Sequence, residues 1–159
     1  MEIAEQEFSR LVKENRNAIF TCCYMFSKDK EEVDDLFQEV LIKLWKGFKS
    51  FRGDCNISSW VWKISLNTCI SYCRKKASKP VVPLSLHTDF FPEDDSEIKQ
   101  IKALNRRINK LGVMDRALIL LWLDNMTYEE IGSIMGITPN NVSVKLVRIK
   151  EKLKSMKEE

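Results

Sequence analysis

Residues 127–142, which read TYEEIGSIMGITPNNV, carry the strongest signal for the fold of this chain. Thr127 is followed three residues later by Glu130, and this spacing is a capping box, in which each side chain satisfies a free backbone amide at a helix start. The pattern predicts that a helix begins at Tyr128. Gly136 favours the left-handed backbone of a tight turn, so we expect this helix to be short and to end there.

A second, longer helix is expected after the turn. Thr138 is a predicted N-cap, and Pro139 suits the first helical position because its missing amide donor would be unpaired there. The apolar spacing carries this helix on to Leu153. A short capped helix, a glycine turn and a longer helix form a helix-turn-helix pattern. The apolar positions expected to hold its two helices together are Ile131, Ile134, Ile137, Val142 and Leu146.

The outer face of this second helix carries side chains that suit the major groove of DNA. Asparagine offers a paired donor and acceptor to adenine, arginine and lysine donate to guanine or phosphate, and serine bonds with either. The free helix N-terminus at Pro139 can also point at a phosphate. The predicted DNA-binding residues are Thr138, Asn140, Asn141, Ser143, Lys145 and Arg148. The alternative is a purely structural helical hairpin with a solvated, lysine-rich end.

The first half of the chain is also predicted to be helical. A first helix is expected from Ala4 to Phe26, and Asp29 followed by Glu32 caps the start of a second. The second helix has one broad apolar face, formed by Leu36, Phe37, Val40, Leu41, Leu44, Trp45 and Phe48. A turn at Gly53 precedes a third helix that ends near Lys76. Its apolar positions are Trp60, Val61, Ile64, Leu66, Ile70 and Tyr72.

The middle of the chain marks a boundary. Pro80 and Pro83 disfavour helix, and the segment 77–97 holds one basic and five acidic side chains between two basic ends. Ser96 is a predicted cap for the next helix, Gly112 its C-terminal stop, and 115–123 a buried helix. The predicted fold is therefore all-α, with two small helical domains joined by an acidic linker. The boundaries are 1–78, 79–97 and 98–159.

Composition excludes several classes of protein. Five glycines and four prolines in 159 residues are too few for a many-stranded β fold. The longest apolar run, 117–123, is far shorter than the roughly 20 residues that cross a membrane. The acidic start, Met-Glu-Ile-Ala-Glu, does not match a signal peptide. We therefore expect a cytoplasmic protein that does not insert into the membrane.

No set of residues predicts enzymatic chemistry. The sequence has no glycine-rich phosphate loop and a single histidine, His87, so we expect no catalytic residues, no metal and no cofactor. The five cysteines include no C-x-x-C pair and are expected to be reduced. Cys69 and Cys73 lie one helical turn apart and are close enough to meet, although packing is the simpler interpretation.

Two stretches together resemble one protein family. Residues 34–45, DDLFQEVLIKLW, resemble the Asp-Leu-x-Gln-Glu helix of bacterial sigma factors. Residues 51–53, FRG, with Ser59-Trp60, Ile64, Asn67 and Arg74-Lys75, are similar to the promoter-melting segment that follows it. Leu111, Arg116, Leu120 and the stretch from Thr127 through Val142 to Arg148 resemble the family's C-terminal helix-turn-helix. The two-unit layout is typical of the extracytoplasmic-function group.

The resemblance implies a role for each part of the chain. The 35–45 helix would dock on the clamp of core RNA polymerase through Asp35, Leu36, Gln38, Glu39 and Lys43. The turn and third helix would hold the −10 element of promoter DNA. The residues implied there are Arg52, Asp54, Asn56, Trp60, Asn67, Arg74, Lys75 and Lys76. A core position for Trp60 is an equal alternative. The last helix would read the −35 element, with its domain on the polymerase flap.

The implied function is that of a sigma factor that directs RNA polymerase to promoters and helps melt the −10 element. Members of this group are commonly held by a membrane anti-sigma factor, so such a partner is also implied. No dimerisation heptad is visible, and we expect a monomer when the chain is free. The alternative function is a free-standing helix-turn-helix transcription regulator, which would usually be a dimer that reads a palindrome.

Overall fold

All regular structure that the computed structural model describes is helical, and within residues 2–27, 29–53, 55–76 and 96–156 there is no strand. The all-α prediction is confirmed. The helices in those ranges are α1 (Glu2–Met25), α2 (Lys30–Phe48), α3 (Ile57–Lys76), α4 (Ser96–Asn109), α5 (Val113–Leu123), α6 (Tyr128–Met135) and α7 (Pro139–Ser155).

The N-terminal helices α1, α2 and α3 pack against one another in a three-helix bundle. The helix boundaries follow local signals, since the Asp29 carboxylate accepts a hydrogen bond of 2.9 Å from the backbone N–H of Glu32 at the start of α2. The apolar face predicted for α2 is the buried one, and Leu36, Val40 and Leu44 are at most 1% exposed. This burial leaves the opposite face of α2 to solvent.

The C-terminal helices form a second unit in which α5 packs against α4, α6 and α7. Here the prediction for Gly112 is wrong. Helix α4 ends at Asn109, and Gly112 is the N-cap of α5, with φ −60° and ψ 160°. The reason is that Leu111 is buried and its amide N–H bonds to the Ile108 carbonyl at 3.0 Å, so the chain closes one turn and enters α5 at once.

Of the predicted linker 79–97, the described residues include the last two. Helix α4 begins at Ser96, inside the last two residues of the expected linker 79–97. Residues 79–95, which include His87, lie outside the described residues, as does Asp54. Helix α3 packs against both α5 and α6, so the two units of the chain touch.

Candidate functional site

The helix-turn-helix is built as its sequence predicts. The Thr127 hydroxyl accepts a hydrogen bond of 3.1 Å from the Glu130 backbone N–H, and the Glu130 carboxylate accepts one of 3.2 Å from the Thr127 N–H. Helix α6 ends at Gly136, whose φ of 73° is left-handed. The Thr138 hydroxyl then caps α7 by accepting from the Asn141 N–H at 3.2 Å. Local hydrogen bonds therefore fix both ends of the turn.

A close approach of two backbone segments sets how α6 and α7 cross. The Ile137 N–H donates to the Gly132 carbonyl at 3.0 Å. A Cβ atom at Gly132 would lie 2.5 Å from the Ile137 carbonyl oxygen, which no side chain can do without moving the backbone. Behind this turn, Val142 and Leu146 are buried against α5 and α6. The orientation of α7 is therefore rigidly specified.

The side chains predicted to bind DNA lie mostly on the solvent side of α7. Asn140 and Arg148 are exposed and fall on the face opposite the buried row of Val142, Leu146 and Ile149. Of the other four predicted residues, Thr138, Asn141 and Lys145 are exposed and Ser143 is half-buried. The structure thus brings polar and basic groups together on one surface, with Ser143 at its edge.

The polar row predicted on α2 is also exposed. Asp35, Gln38, Glu39 and Lys43 all face solvent, and the Lys43 ammonium lies 3.7 Å from the Glu39 carboxylate one turn away. The expectation that Leu36 contacts a partner is wrong, because its side chain is 1% exposed. Leu36 instead anchors the helix from below and so orients the polar row.

The residues predicted to bind single-stranded DNA spread along α3 and the turn before it. Arg52, Asn56, Asn67, Arg74 and Lys75 are exposed. Residues seven positions apart lie almost on one line of a helix, so Trp60, Asn67 and Arg74 form a stripe. Lys63, also exposed, lies between the first two and was missed by the sequence analysis. Its spacing of three from Trp60 and four from Asn67 is the signal that could have found it.

Trp60 and Lys76 are only partly available at that surface. The Trp60 ring is half-buried and packs against Phe51, with ring centroids 5.0 Å apart. The ring therefore packs against the core, as one alternative expects, whereas its role at DNA stays a prediction. Lys76 forms an ion pair with Glu32 and lies over the ring of Tyr72, 4.8 Å from its centroid. The glutamate carboxylate raises the pKa of Lys76, which keeps it charged.

A set of contacts between the two units was not predicted. The Trp62 indole N–H donates to the Asp124 carboxylate at 2.8 Å, and the Ser59 hydroxyl donates to that of Glu130 at 3.0 Å. The Thr127 N–H, followed by the Ser59 hydroxyl, holds the pKa of Glu130 below its usual value. The two bonded pairs are separated by 62 and 71 residues in the chain, so no local spacing in the sequence predicts them.

Arg116 completes the contact between the units. Its guanidinium donates to three backbone carbonyls, those of Met25 at 2.9 Å, Asn109 at 2.8 Å and Leu111 at 3.2 Å. It also lies 5.3 Å from the centre of the Phe26 ring. Burial lowers the pKa of Arg116 from its usual value. One side chain of α5 therefore joins the ends of α1 and α4.

The cysteines of the N-terminal bundle pack as thiols. The Cys22 and Cys69 sulfurs lie 3.6 Å apart, so Cys69 meets α1, and the Cys73 thiol donates to the Phe26 carbonyl at 3.6 Å. Hydrogen bonding with Cys69, together with burial, raises the pKa of the Cys23 thiol. Buried thiols in this protonated form are unreactive. Across the residues described, no three histidine, cysteine or acidic side chains group in a way that could hold a metal ion.

Two family models match most of the chain. One is described as "Sigma-70 region 2" and matches residues 11–79, and the other as "Sigma-70, region 4" and matches residues 101–153. In the described part of the chain, no helix is both long and apolar enough to cross a membrane.

Similar proteins carry related names. "ECF RNA polymerase sigma factor SigM" of Mycobacterium tuberculosis is 24% identical over 149 residues, which cover 92% of this chain and 74% of that protein. "RNA polymerase sigma factor SigZ" of Bacillus subtilis is 28% identical over 132 residues, which cover 82% of this chain and 75% of that protein.

Solved structures show the same fold. The sigma factor RpoE in complex with the anti-sigma factor NepR from Bartonella quintana aligns with a TM-score of 0.77 at 20% identity, over 94% of this chain and 95% of that one. CnrH in complex with the cytosolic domain of CnrY aligns with a TM-score of 0.70 at 18% identity, over 95% of this chain and 87% of that one.

Proposed function

The chain belongs to the sigma-70 family of RNA polymerase sigma factors, in its extracytoplasmic-function group. We propose which part of the chain binds each partner in transcription initiation. Residues 98–159 recognise the −35 element of a promoter. Residues 1–78 bind core RNA polymerase and the −10 element, and 79–97 join the two. The observation that carries the proposal is the capped helix-turn-helix, because it holds base-reading side chains on a helix of fixed orientation.

At the −35 element, α7 lies in the major groove. Asn140 and Arg148 point outward one above the other and contact base edges, since asparagine pairs with adenine and arginine with guanine. Asn141 and Ser143 contribute further polar contacts from the first turns of the helix. Lys145 and the exposed Thr138 contact phosphates, which add affinity without reading sequence.

The polar row of α2 binds the clamp of core RNA polymerase. Asp35, Gln38 and Glu39 are presented on a helix whose other face is packed in the bundle, so little backbone ordering is needed on binding. Lys43 extends the row by one turn. The C-terminal unit sits on the flap of the polymerase.

The α3 stripe holds the unpaired −10 strand. An open strand needs basic support for its phosphates and an aromatic face on which a base can stack. Lys63, Arg74 and Lys75 provide the charge and Trp60 the face, while Asn67 donates and accepts hydrogen bonds. The residues Arg52, Asp54, Asn56 and Lys76 complete the proposed set. Melting becomes favourable because the protein binds the open strand better than the duplex, and no covalent bond is made or broken.

An anti-sigma factor is the third proposed partner. The similar RpoE structure is a complex with the anti-sigma factor NepR, and the similar CnrH structure is a complex with the cytosolic domain of CnrY. These complexes support an anti-sigma partner for this chain. Since its proposed binding partners are polymerase and promoter DNA, we place the protein in the cytoplasm, at times held at the membrane by the anti-sigma factor. When free, it is a monomer.

Run-off transcription tests the proposal. Fragmented genomic DNA is transcribed by purified core polymerase with and without the protein, and new, defined start sites are expected only with it. Arg148→Ala should lower promoter-specific transcripts about tenfold, the cost of one lost arginine–guanine pair, and leave core binding intact. Arg16→Ala is the matched control, because Arg16 is exposed on α1, a helix that carries none of the three proposed surfaces.

A second variant separates the two units. Replacing Asp35 and Gln38 together by alanine should weaken binding to core polymerase in a pull-down while binding to a −35 duplex persists. Sequence-specific DNA binding without any new start site would overturn the proposal and favour the free-standing regulator.

A further inference from the structure

Two valines occupy the outward face of the recognition helix. Val144 is 44% exposed and Val147 is 54% exposed, although valine is a residue that folding normally buries. Single exposed apolar residues are common, so exposure alone carries no meaning. Their position is the informative feature, because Val144 lies one turn after Asn140 and one turn before Arg148, on the same line of α7.

The surroundings of this apolar spot are suited to nucleic acid. From Thr138 to Lys150 the helix carries no acidic residue, whereas Lys145 and Arg148 are exposed beside the valines. Val144 lies in the first half of α7, which is the part of a recognition helix that approaches base edges. A protein-binding patch would need a larger continuous apolar area than two side chains bordered by charge.

The chemistry of the groove supplies a partner for a valine. The 5-methyl group of thymine is the apolar group that a base presents in the major groove. Valine is β-branched and keeps nearly one rotamer in a helix, so its two methyl groups point in a fixed direction. Along the axis Val144 is about 6 Å from both Asn140 and Arg148, a distance that spans about two base steps.

We propose that Val144, with Val147 at its side, reads thymine methyl groups in the −35 element. This inference rests on the proposed function, since it assumes that α7 enters the major groove. It adds a specificity that the polar residues do not supply: at least one A·T pair, with its methyl group facing α7, lies between the bases contacted by Asn140 and Arg148.

Deoxyuridine scanning tests the inference, because uracil differs from thymine only by the missing methyl group. A promoter fragment is taken from the run-off start sites, each thymine near −35 is replaced singly by deoxyuridine, and the affinity of the holoenzyme is measured by competition at fixed salt. One or two positions should show about fourfold weaker binding, the value of one buried methyl group.

A variant assigns the effect to a residue. Val144→Ala shortens the side chain without lowering helix propensity, and it should bind the thymine and uracil promoters with equal affinity. Lys154→Ala, an exposed change near the end of the same helix, should keep the fourfold ratio of wild type.

Each other outcome overturns the inference in a distinguishable way. Uracil tolerated at every position, with specific promoter binding intact, refutes methyl reading but leaves the proposed function standing. A thymine preference that persists in Val144→Ala assigns the reading to another residue. Weaker binding of Val144→Ala to core polymerase, with no effect of uracil, makes this face a protein contact. Absence of any promoter binding refutes the proposed function itself.

Discussion

Removing Arg116 should destabilise the folded chain by about 3 kcal/mol, since it strips the hydrogen-bond partner from buried carbonyl groups. The Arg116 residue is 9% exposed, and its guanidinium donates to the carbonyls of Met25, Asn109 and Leu111 at 2.8–3.2 Å. An unpaired buried carbonyl costs about 1–3 kcal/mol, and hydration of the chain where the side chain was removed relieves part of the total. Three such losses, partly relieved by hydration, amount to a destabilisation of about 3 kcal/mol.

The assay is urea unfolding of Arg116→Ala followed by circular dichroism, together with a thermal melt. For a chain of this size the expected drop in the melting temperature is roughly 9 °C. Arg116→Lys should fall between alanine and wild type, because an ammonium cannot spread donors over three separated carbonyls as a planar guanidinium does. Arg106→Ala is the matched control, since Arg106 is exposed on α4.

A free energy of unfolding for Arg116→Ala within about 0.5 kcal/mol of wild type, the range of ordinary surface changes, would contradict this prediction. In that case the hydrogen bonds to the three carbonyls would offset no more than the cost of burying the charge.

Three further outcomes are expected. Gly132→Ala should lower the free energy of unfolding by about 2 kcal/mol, because the added Cβ would lie 2.5 Å from the Ile137 carbonyl oxygen. In the same urea titration, Gly112→Ala should be neutral or stabilising, because nothing lies within 4 Å of the added Cβ. Iodoacetamide followed by mass spectrometry should label the exposed Cys55 rapidly and the buried Cys69 only after unfolding, and early labelling of Cys69 would contradict its raised pKa. Glu130→Gln should lose stability relative to wild type near neutral pH. Folding lowers the pKa of this carboxyl, so its contribution to the free energy of unfolding is fully present above the unfolded-state pKa of about 4.3. That contribution disappears as the pH falls through the folded-state pKa. A stability difference between Glu130→Gln and wild type that does not shrink in acid would contradict this prediction.

Features with local causes could be read from the sequence. Asp29, Thr127 and Thr138 each cap a helix as predicted, because a cap depends on a side chain and an amide only two or three residues away. The apolar spacing of α2 and α7 likewise identified the buried faces, since one period decides which side of a helix meets the core.

Features that depend on distant neighbours were missed. Gly112 failed as a helix stop because the burial of Leu111 decided where the chain turns. The contact of Trp62 with Asp124 joins residues 62 positions apart, and neither residue signals the other. Leu36 was predicted to contact polymerase because it belongs to the family motif. Its place in the apolar spacing of α2 predicted instead that it lies in the core, where it is found.

The hydrogen bonds between α3 and the C-terminal unit have a consequence for promoter search. Elements named −35 and −10 are centred about 25 base pairs apart, roughly 85 Å along duplex DNA. Helices joined by bonds of 2.8 and 3.0 Å cannot occupy both elements at once. If the two units read these two elements as proposed, the chain must interconvert between a joined and a separated form, and only the separated form is competent for a promoter. Under the proposed function, core polymerase would bind each unit at its own place and raise that fraction, and the free protein would bind promoters weakly. On the same premise, a partner that holds α3 against α5 and α6 would inactivate the protein without covering the side chains proposed to read bases.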